Sequence, residues 1–210
     1  MATYRNARNF LETASAKYRA LRSYSDVGVV RPLSAPEPLS CWFETDYEAP
    51  GKFRFQFIRP HPYPKLRNCL TKYIAGSDGT QAYFYTEERG SKPIVELEPS
   101  LELAVAGATG ISEGTAHTIG RLLLDRVGGF SLTMLTHLRF RTCREFDGVL
   151  CRRVSGLHGS WGRVTLWFDY NDLLLRKLDH HRARREEVRF KIRVNAPLSP
   201  ERFNVPSSEI

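Results

Sequence analysis

Four cysteines, at positions 41, 69, 143 and 151, and six histidines, at 61, 117, 137, 158, 180 and 181, are the side chains of this sequence with the widest chemical repertoire. No two cysteines stand in the C-x-x-C spacing that lets paired thiolates share a tetrahedral zinc, so no metal site is expected. If Phe146-Asp147-Gly148 forms a three-residue hairpin loop, positions 143 and 151 fall opposite each other across the strands. A Cys143–Cys151 disulfide is then geometrically feasible, and the even cysteine count agrees with an oxidising compartment. Four reduced, mostly buried thiols of a cytoplasmic protein are the other reading. The histidines are scattered outside any metal or triad spacing, and His180 and His181 on a strand face opposite sides. The segment His158-Gly-Ser-Trp-Gly162 lacks the first glycine of a nucleophile elbow and precedes a strand where that motif needs a helix. Neither a G-x-x-x-x-G-K-[ST] phosphate loop nor H-E-x-x-H occurs. No catalytic residue, metal or cofactor is assigned, and an enzymatic role is not expected.

Two further sets depend on pattern. Phe53, Phe55 and Phe57 alternate with Arg54 and Gln56, so a strand here has one apolar side and one wet side. That stripe either lines an apolar ligand cavity or is core beneath helices. The run from His180 to Arg193 carries Arg182, Arg184, Arg185, Arg189, Lys191 and Arg193. Strict alternation on the last strand puts Arg189, Lys191 and Arg193 on one face and Val188, Phe190, Ile192 and Val194 on the other. Such a face is either simply solvated or a patch for phosphate-bearing headgroups or nucleic acid. Without an RNA-binding aromatic signature or a helix-turn-helix pattern, nucleic acid is the less expected partner.

The elements that must position these residues follow from the apolar period. Residues 4–22 repeat at helical spacing through Phe10, Ala14, Tyr18 and Leu21. Period two then governs Tyr24–Val30, Cys41–Tyr47, Lys52–Ile58, Leu70–Ala75 and Gln81–Thr86, with Pro50-Gly51 and Gly76-Ser-Asp-Gly79 as turns. The helical pattern returns over residues 98–127, with Pro99 near a first turn, Ser112 as an N-cap and Gly128-Gly129 as the stop. Strands resume at Leu138–Arg144, Val149–Ser155, Arg163–Tyr170, Leu173–His181 and Glu187–Val194, and residues 195–210 read as an extended tail. Runs of strands around a helical insert predict an α+β fold, a curved antiparallel sheet of 10–11 strands with helices on one face. No composition break or internal repeat divides the chain, so residues 1–210 are expected to form one domain.

Composition narrows the class. With 41% hydrophobic and 26% charged residues, wholesale disorder and collagen- or mucin-like chains are excluded. No window of about 18 apolar residues exists that would cross a bilayer as a helix. The net charge of +8, with 24 Arg against 7 Lys, allows an acidic partner without identifying one. The first ten residues lack the apolar core and cleavage site of a secretory signal. The protein is therefore expected either to stay in the cytoplasm or to be the mature segment of an exported one.

Several segments together resemble a bacterial family of predicted periplasmic proteins in the lipoprotein-carrier superfamily, the LolA/LolB type. They are Tyr18-Arg-Ala-Leu-Arg-Ser-Tyr-Ser-Asp26 with Gly28, Phe53-Arg-Phe-Gln-Phe57 after Pro50-Gly51, Ser77-Asp-Gly79 with Tyr83, Ala106-Gly-Ala-Thr-Gly-Ile-Ser112 and Val164-Thr-Leu-Trp-Phe-Asp169. Their order covers residues 9–206. The resemblance implies a strongly bent antiparallel half-barrel, with helices on its concave side enclosing an apolar cavity that holds acyl chains without covalent chemistry. On this reading Phe43, Tyr47, Phe53, Phe55, Phe57, Leu166, Phe168 and Phe190 face the ligand, and Arg189, Lys191 and Arg193 face anionic headgroups. The expected partner is a hydrophobic small molecule, lipid or lipoprotein, in the periplasm. The chain departs from the family in lacking a signal and an N-terminal lipid-attachment cysteine. A basic module for polyanions and an extracytoplasmic scaffold with a filled core are the alternatives.

Overall fold

The computed structural model describes residues 6–33, 41–60, 69–124, 126–127, 131–159 and 161–206; His61 and the expected glycine stop at 128–129 lie outside them. The order of elements is α1 (Ala7–Arg19), β1 (Ser23–Pro32), β2 (Cys41–Glu48), β3 (Lys52–Pro60), β4 (Leu70–Asp78), β5 (Ala82–Glu88), β6 (Ile94–Glu98), α2 (Leu101–Ile111), α3 (Thr115–Leu123), β7 (Thr136–Phe146), β8 (Val149–His158), β9 (Gly162–Asp169), β10 (Leu175–His180) and β11 (Arg185–Val194). The strands form one curved antiparallel sheet, open at both edges, in the order β6-β5-β4-β3-β2-β1-β11-β10-β9-β8-β7. Two meanders are thus joined along the β1–β11 pair. The helical insert leaves from one edge strand and arrives at the other, so α2 and α3 must cross the width of the sheet.

Alternation decides what lies under those helices. Tyr24, Phe43, Tyr47, Phe53, Phe55, Phe57, Val164, Leu166 and Phe168 pack in one core with Phe10, Leu11, Ala14 and Tyr18 of α1 and Ala116, Ile119 and Leu122 of α3. Asn6 caps α1, its side chain accepting from the Asn9 N–H at 2.9 Å, and Lys17 and Arg19 place positive charge at its C-terminal end, where the helix dipole favours it. Ser112 ends α2 rather than opening α3. Its hydroxyl nevertheless accepts from the Ala116 N–H at 3.1 Å, two residues into the next helix. β6 escapes the period-two reading because Ile94, Val95 and Leu97 do not alternate, and Ile94 and Leu97 are exposed.

Three expectations are corrected by register. The β7–β8 hairpin turns on two residues, Asp147 and Gly148 at φ 50° and 72°, with Phe146 paired to Val149. That turn sets Arg144, not Cys143, opposite Cys151, with a bulge only beyond it between Arg141 and Arg144, and all four cysteines are free thiols. On β11, Lys191 adopts φ 52° and the pairing with β1 slips between Ser25 and Val27. An extra residue on one strand reverses the facing of everything beyond it. Ile192 and Val194 stay on the concave side, but so does Arg189, while Phe190 turns to the convex side.

The closing stretch is not a loose tail. Residues 195–206 run back over the convex face of β2–β5: Arg202 pairs with the buried Asp46 at 2.9 Å, Phe203 is 1% exposed, and Tyr83 donates to the Asn204 carbonyl at 3.4 Å. Val205 completes a second small core with Ile74, Tyr83 and Tyr85.

Candidate ligand site

The concave face carries an aromatic row. Rings follow one another from Phe43 to Phe55 (5.7 Å), Phe57 (5.6 Å), Tyr73 (4.9 Å) and Phe84 (6.2 Å), each contact joining residues of the same or neighbouring strands. Phe53, Phe55 and Phe57 are wholly buried, each worth about 1.5–3 kcal/mol of burial. Phe168, on the other half of the sheet, meets Phe10 of α1 edge-on at 5.3 Å. Seven of the eight expected cavity residues therefore share one interior; Phe190 lies instead in a shallow convex groove of about 170 Å³ with Val27, Trp42 and Ile58.

Beneath α3 the packing leaves a seam between Thr118, Leu132 and Trp161 on one side and Val164, Leu166 and Leu178 on the other. Its free volume is about 10 Å³, near the room for a single water, so the seam itself is nearly filled by side chains. On the outside of Trp161 lies a cleft of about 290 Å³ bounded by His180, Arg182, Ala183 and Arg185. Trp161 is a wall of both spaces and separates them. The ring stacks on His158 at 4.2 Å and meets His180 edge-on at 5.1 Å and His117 at 6.2 Å. Its backbone N–H donates to His158 Nδ1 at 3.0 Å, which requires that nitrogen unprotonated. Burial, with the neighbouring Arg185, His158 and His181, pushes His180 down to about 3. Burial and His117 lower His158 as well. Both His158 and His180 are thereby held toward the neutral imidazole.

The α2–α3 turn rests on the same tryptophan. Gly114, at φ 88°, leaves room where a Cβ would stand 3.4 Å from the Trp161 ring. Two arginines tether the turn: Arg59 donates to the Ile111 carbonyl at 2.9 Å, and Arg185 pairs with Glu113. Trp161 thus stands at the boundary of the seam and of the outer cleft. Sequence reasoning missed Trp161, although His158-Gly-Ser-Trp-Gly162 had drawn attention as a hydrolase motif that fails.

Where strict alternation put a wet arginine, the sheet holds a buried ionic cluster. Arg189 donates to Asp26 Oδ2 at 2.5 Å and pairs with Glu187, all three side chains being 0–1% exposed. Tyr24 donates to the same Asp26 oxygen at 2.6 Å, and the guanidinium lies 4.8 Å from the Phe43 ring centroid. One cation faces two carboxylates. Burial raises Glu187 above the usual carboxylate range despite Arg189, and raises Tyr24 and Tyr18 well above an ordinary phenol. Lys191 and Arg193 remain exposed, so the headgroup trio predicted on β11 is split.

No protein-family model matches the sequence, and neither does any curated protein. Solved structures do match. The lipoprotein LppX of Mycobacterium tuberculosis superposes with a TM-score of 0.54 at 13% identity, over 95% of this chain and 98% of its own. LprF of Mycobacterium bovis gives 0.54 at 14% over 96% of each chain. An uncharacterized conserved protein from Thermus thermophilus gives 0.54 at 7%, over 97% and 95%. At such identities the likeness is one of fold alone.

Proposed function

We propose that this chain, which shares the fold of the lipoprotein LppX, is a non-enzymatic carrier or sensor that takes one acyl chain of a lipid or lipoprotein between its sheet and its helices. The observation that carries the reading is the seam under α3, walled mainly by Leu132, Trp161, Val164, Leu166 and Leu178 with His117, Thr118 and Arg121 also in its lining, and sharing Trp161 with an open cleft. With only about 10 Å³ free, the ligand enters as α3 lifts from β9 and β10 and Trp161 swings outward. Separation of α3 from the sheet exposes apolar surface, which an acyl chain covers at about 0.8 kcal/mol per CH₂. The proposed location is extracytoplasmic, supported by fold likeness alone, because the cysteine register no longer contributes to it.

The test is native mass spectrometry with lipid extraction of protein purified without detergent. One acyl-bearing species per chain is expected, with faster exchange of a fluorescent fatty acid in Trp161→Ala. Empty protein in both forms, with amides under α3 exchanging as slowly as those of β3, overturns the proposal. That outcome would favour a second reading, supported by the nearly filled seam: an interaction scaffold that uses the fold without a ligand.

A further inference from the structure

A cluster of positive charge lies on the convex side of β7–β9, away from the last strand. Arg139, Arg141 and Arg163, with His137, Ser155 and Leu157, line a groove of about 230 Å³. Register puts them together: Arg139 faces Ser155, Arg141 faces Arg153, and Leu157 faces Arg163. A bulge at His137, φ 51°, brings the imidazole to the same groove. Arg141 Nε donates to Ser155 Oγ at 2.9 Å, which fixes the fork and leaves both terminal nitrogens for another partner. Arg153 lies beside them, its guanidinium 4.2 Å from the Trp167 ring centroid.

Charge compensation is missing here. Among the described residues, Arg139, Arg141, Arg144, Arg153 and Arg163 form no ion pair. Asp179, the carboxylate acting on Arg153, already accepts from Trp167 Nε1 at 2.7 Å and pairs with Lys177 at 3.2 Å. Burial, then Arg144 and Arg141, press Arg153 below its usual value, the mark of like charges held together. A bound anion would relieve that repulsion.

We propose that this groove binds the phosphate of an anionic lipid headgroup, so that the convex β7–β9 face is a membrane-docking surface. Guanidinium forks pair with carboxylate and phosphate alike, but a phosphate has oxygens enough to engage several of the arginines lining the groove at once, which favours it over a lone carboxylate. Nucleic acid fits less well. Stacking of single-stranded bases needs exposed aromatic faces, and Trp167 is 8% exposed and covered by Arg153. The apolar wall is Leu157, 38% exposed beside the arginines, as suits a headgroup joined to an acyl chain. The proposal rests on convex residues alone and stands whether or not the interior takes a ligand.

Co-sedimentation with phosphatidylcholine vesicles, with and without phosphatidylglycerol, tests it. Binding is expected only with phosphatidylglycerol and weakens as salt rises. Each arginine neutralised lowers partitioning about fivefold, so Arg139→Gln/Arg141→Gln/Arg163→Gln loses on the order of 100-fold. Lys191→Gln/Arg193→Gln and Arg89→Gln/Lys92→Gln bind as the unaltered protein does. Should the triple variant unfold, Arg163→Gln alone carries the same test at about fivefold. Undiminished vesicle binding by either variant overturns the proposal. Two other outcomes do so too: saturation by inorganic phosphate without vesicle binding, which makes free phosphate the ligand, and oligonucleotide binding that the triple variant loses while vesicles stay unbound.

Discussion

Replacing Arg189 by methionine separates a buried arginine from the exposed one that strict alternation would give. The side chain is 0% exposed, and so are its partners to within 1%, so the change belongs to the regime of broken buried ion pairs. Removing one partner there costs about 3–5 kcal/mol, because the carboxylates of Asp26 and Glu187 stay buried without their cation. An exposed pair would cost about 0–1 kcal/mol. For a chain of this size about 1 kcal/mol moves Tm by about 2–4 °C, so a fall of about 6–20 °C is expected. The pH dependence has a definite sign. Glu187, raised by burial even beside Arg189, is raised further without the cation, and a group raised in the fold contributes stability below its unfolded pKa that is lost as pH rises through the folded one. The deficit is therefore largest near neutral pH and shrinks in acid. Adding Asp26→Asn and Glu187→Gln to Arg189→Met removes the orphaned charges and recovers most of the loss. Urea unfolding at neutral and acidic pH reads all of this. A deficit below about 1 kcal/mol, flat with pH, would refute the buried cluster and with it the bulge at Lys191.

Four further outcomes follow from local geometry. His180, held at about 3 against an unfolded value near 6.5, is neutral in the fold, so stability is full above about pH 6.5 and falls by about 2 kcal/mol between pH 7 and 5; His180→Asn removes that component in paired denaturant titrations. A Cβ on Gly28 would stand 2.3 Å from the Val188 carbonyl and 2.2 Å from the Phe43 ring, and backbone cannot give way, so Gly28→Ala costs about 1–3 kcal/mol or more. Gly107→Ala, in α2 with nothing within 4 Å, gains about 0.5–1 kcal/mol by the same assay. Cys143 is exposed, whereas burial pushes Cys41 up to about 12 and Cys151 to about 11. Iodoacetamide with mass mapping therefore labels Cys143 in the folded protein and leaves Cys41 and Cys151 until it unfolds; a Cys143 resistant to labelling would restore the disulfide.

The apolar faces were legible in the residue pattern because a strand's period is unambiguous where Phe53, Phe55 and Phe57 alternate with polar residues. The helical insert was legible too, since Ile119, Leu122 and Leu123 keep a helix period that no strand tolerates. The bulge at Lys191 was not, because nothing in Phe-Lys-Ile-Arg announces a left-handed residue, as an Asn or Gly would have done. One such residue sent Arg189 inward and Phe190 outward. Asp147-Gly148 did carry the signature of a two-residue turn, but counting Phe146 into the loop shifted the cysteine register by one. Trp161 and Phe203 gave no local sign, since each acts through residues distant in the chain.

The path of residues 195–206 has a mechanical consequence. Across β2–β5 the sheet is clamped between helices on one side and the returning chain, pinned by Phe203 and Arg202, on the other. Across β7–β9 the outer side presents an open groove. A sheet braced on both faces in one half and on one face in the other is expected to yield first in the half that carries Trp161, which faster amide exchange across β7–β9 than across β2–β5 would report.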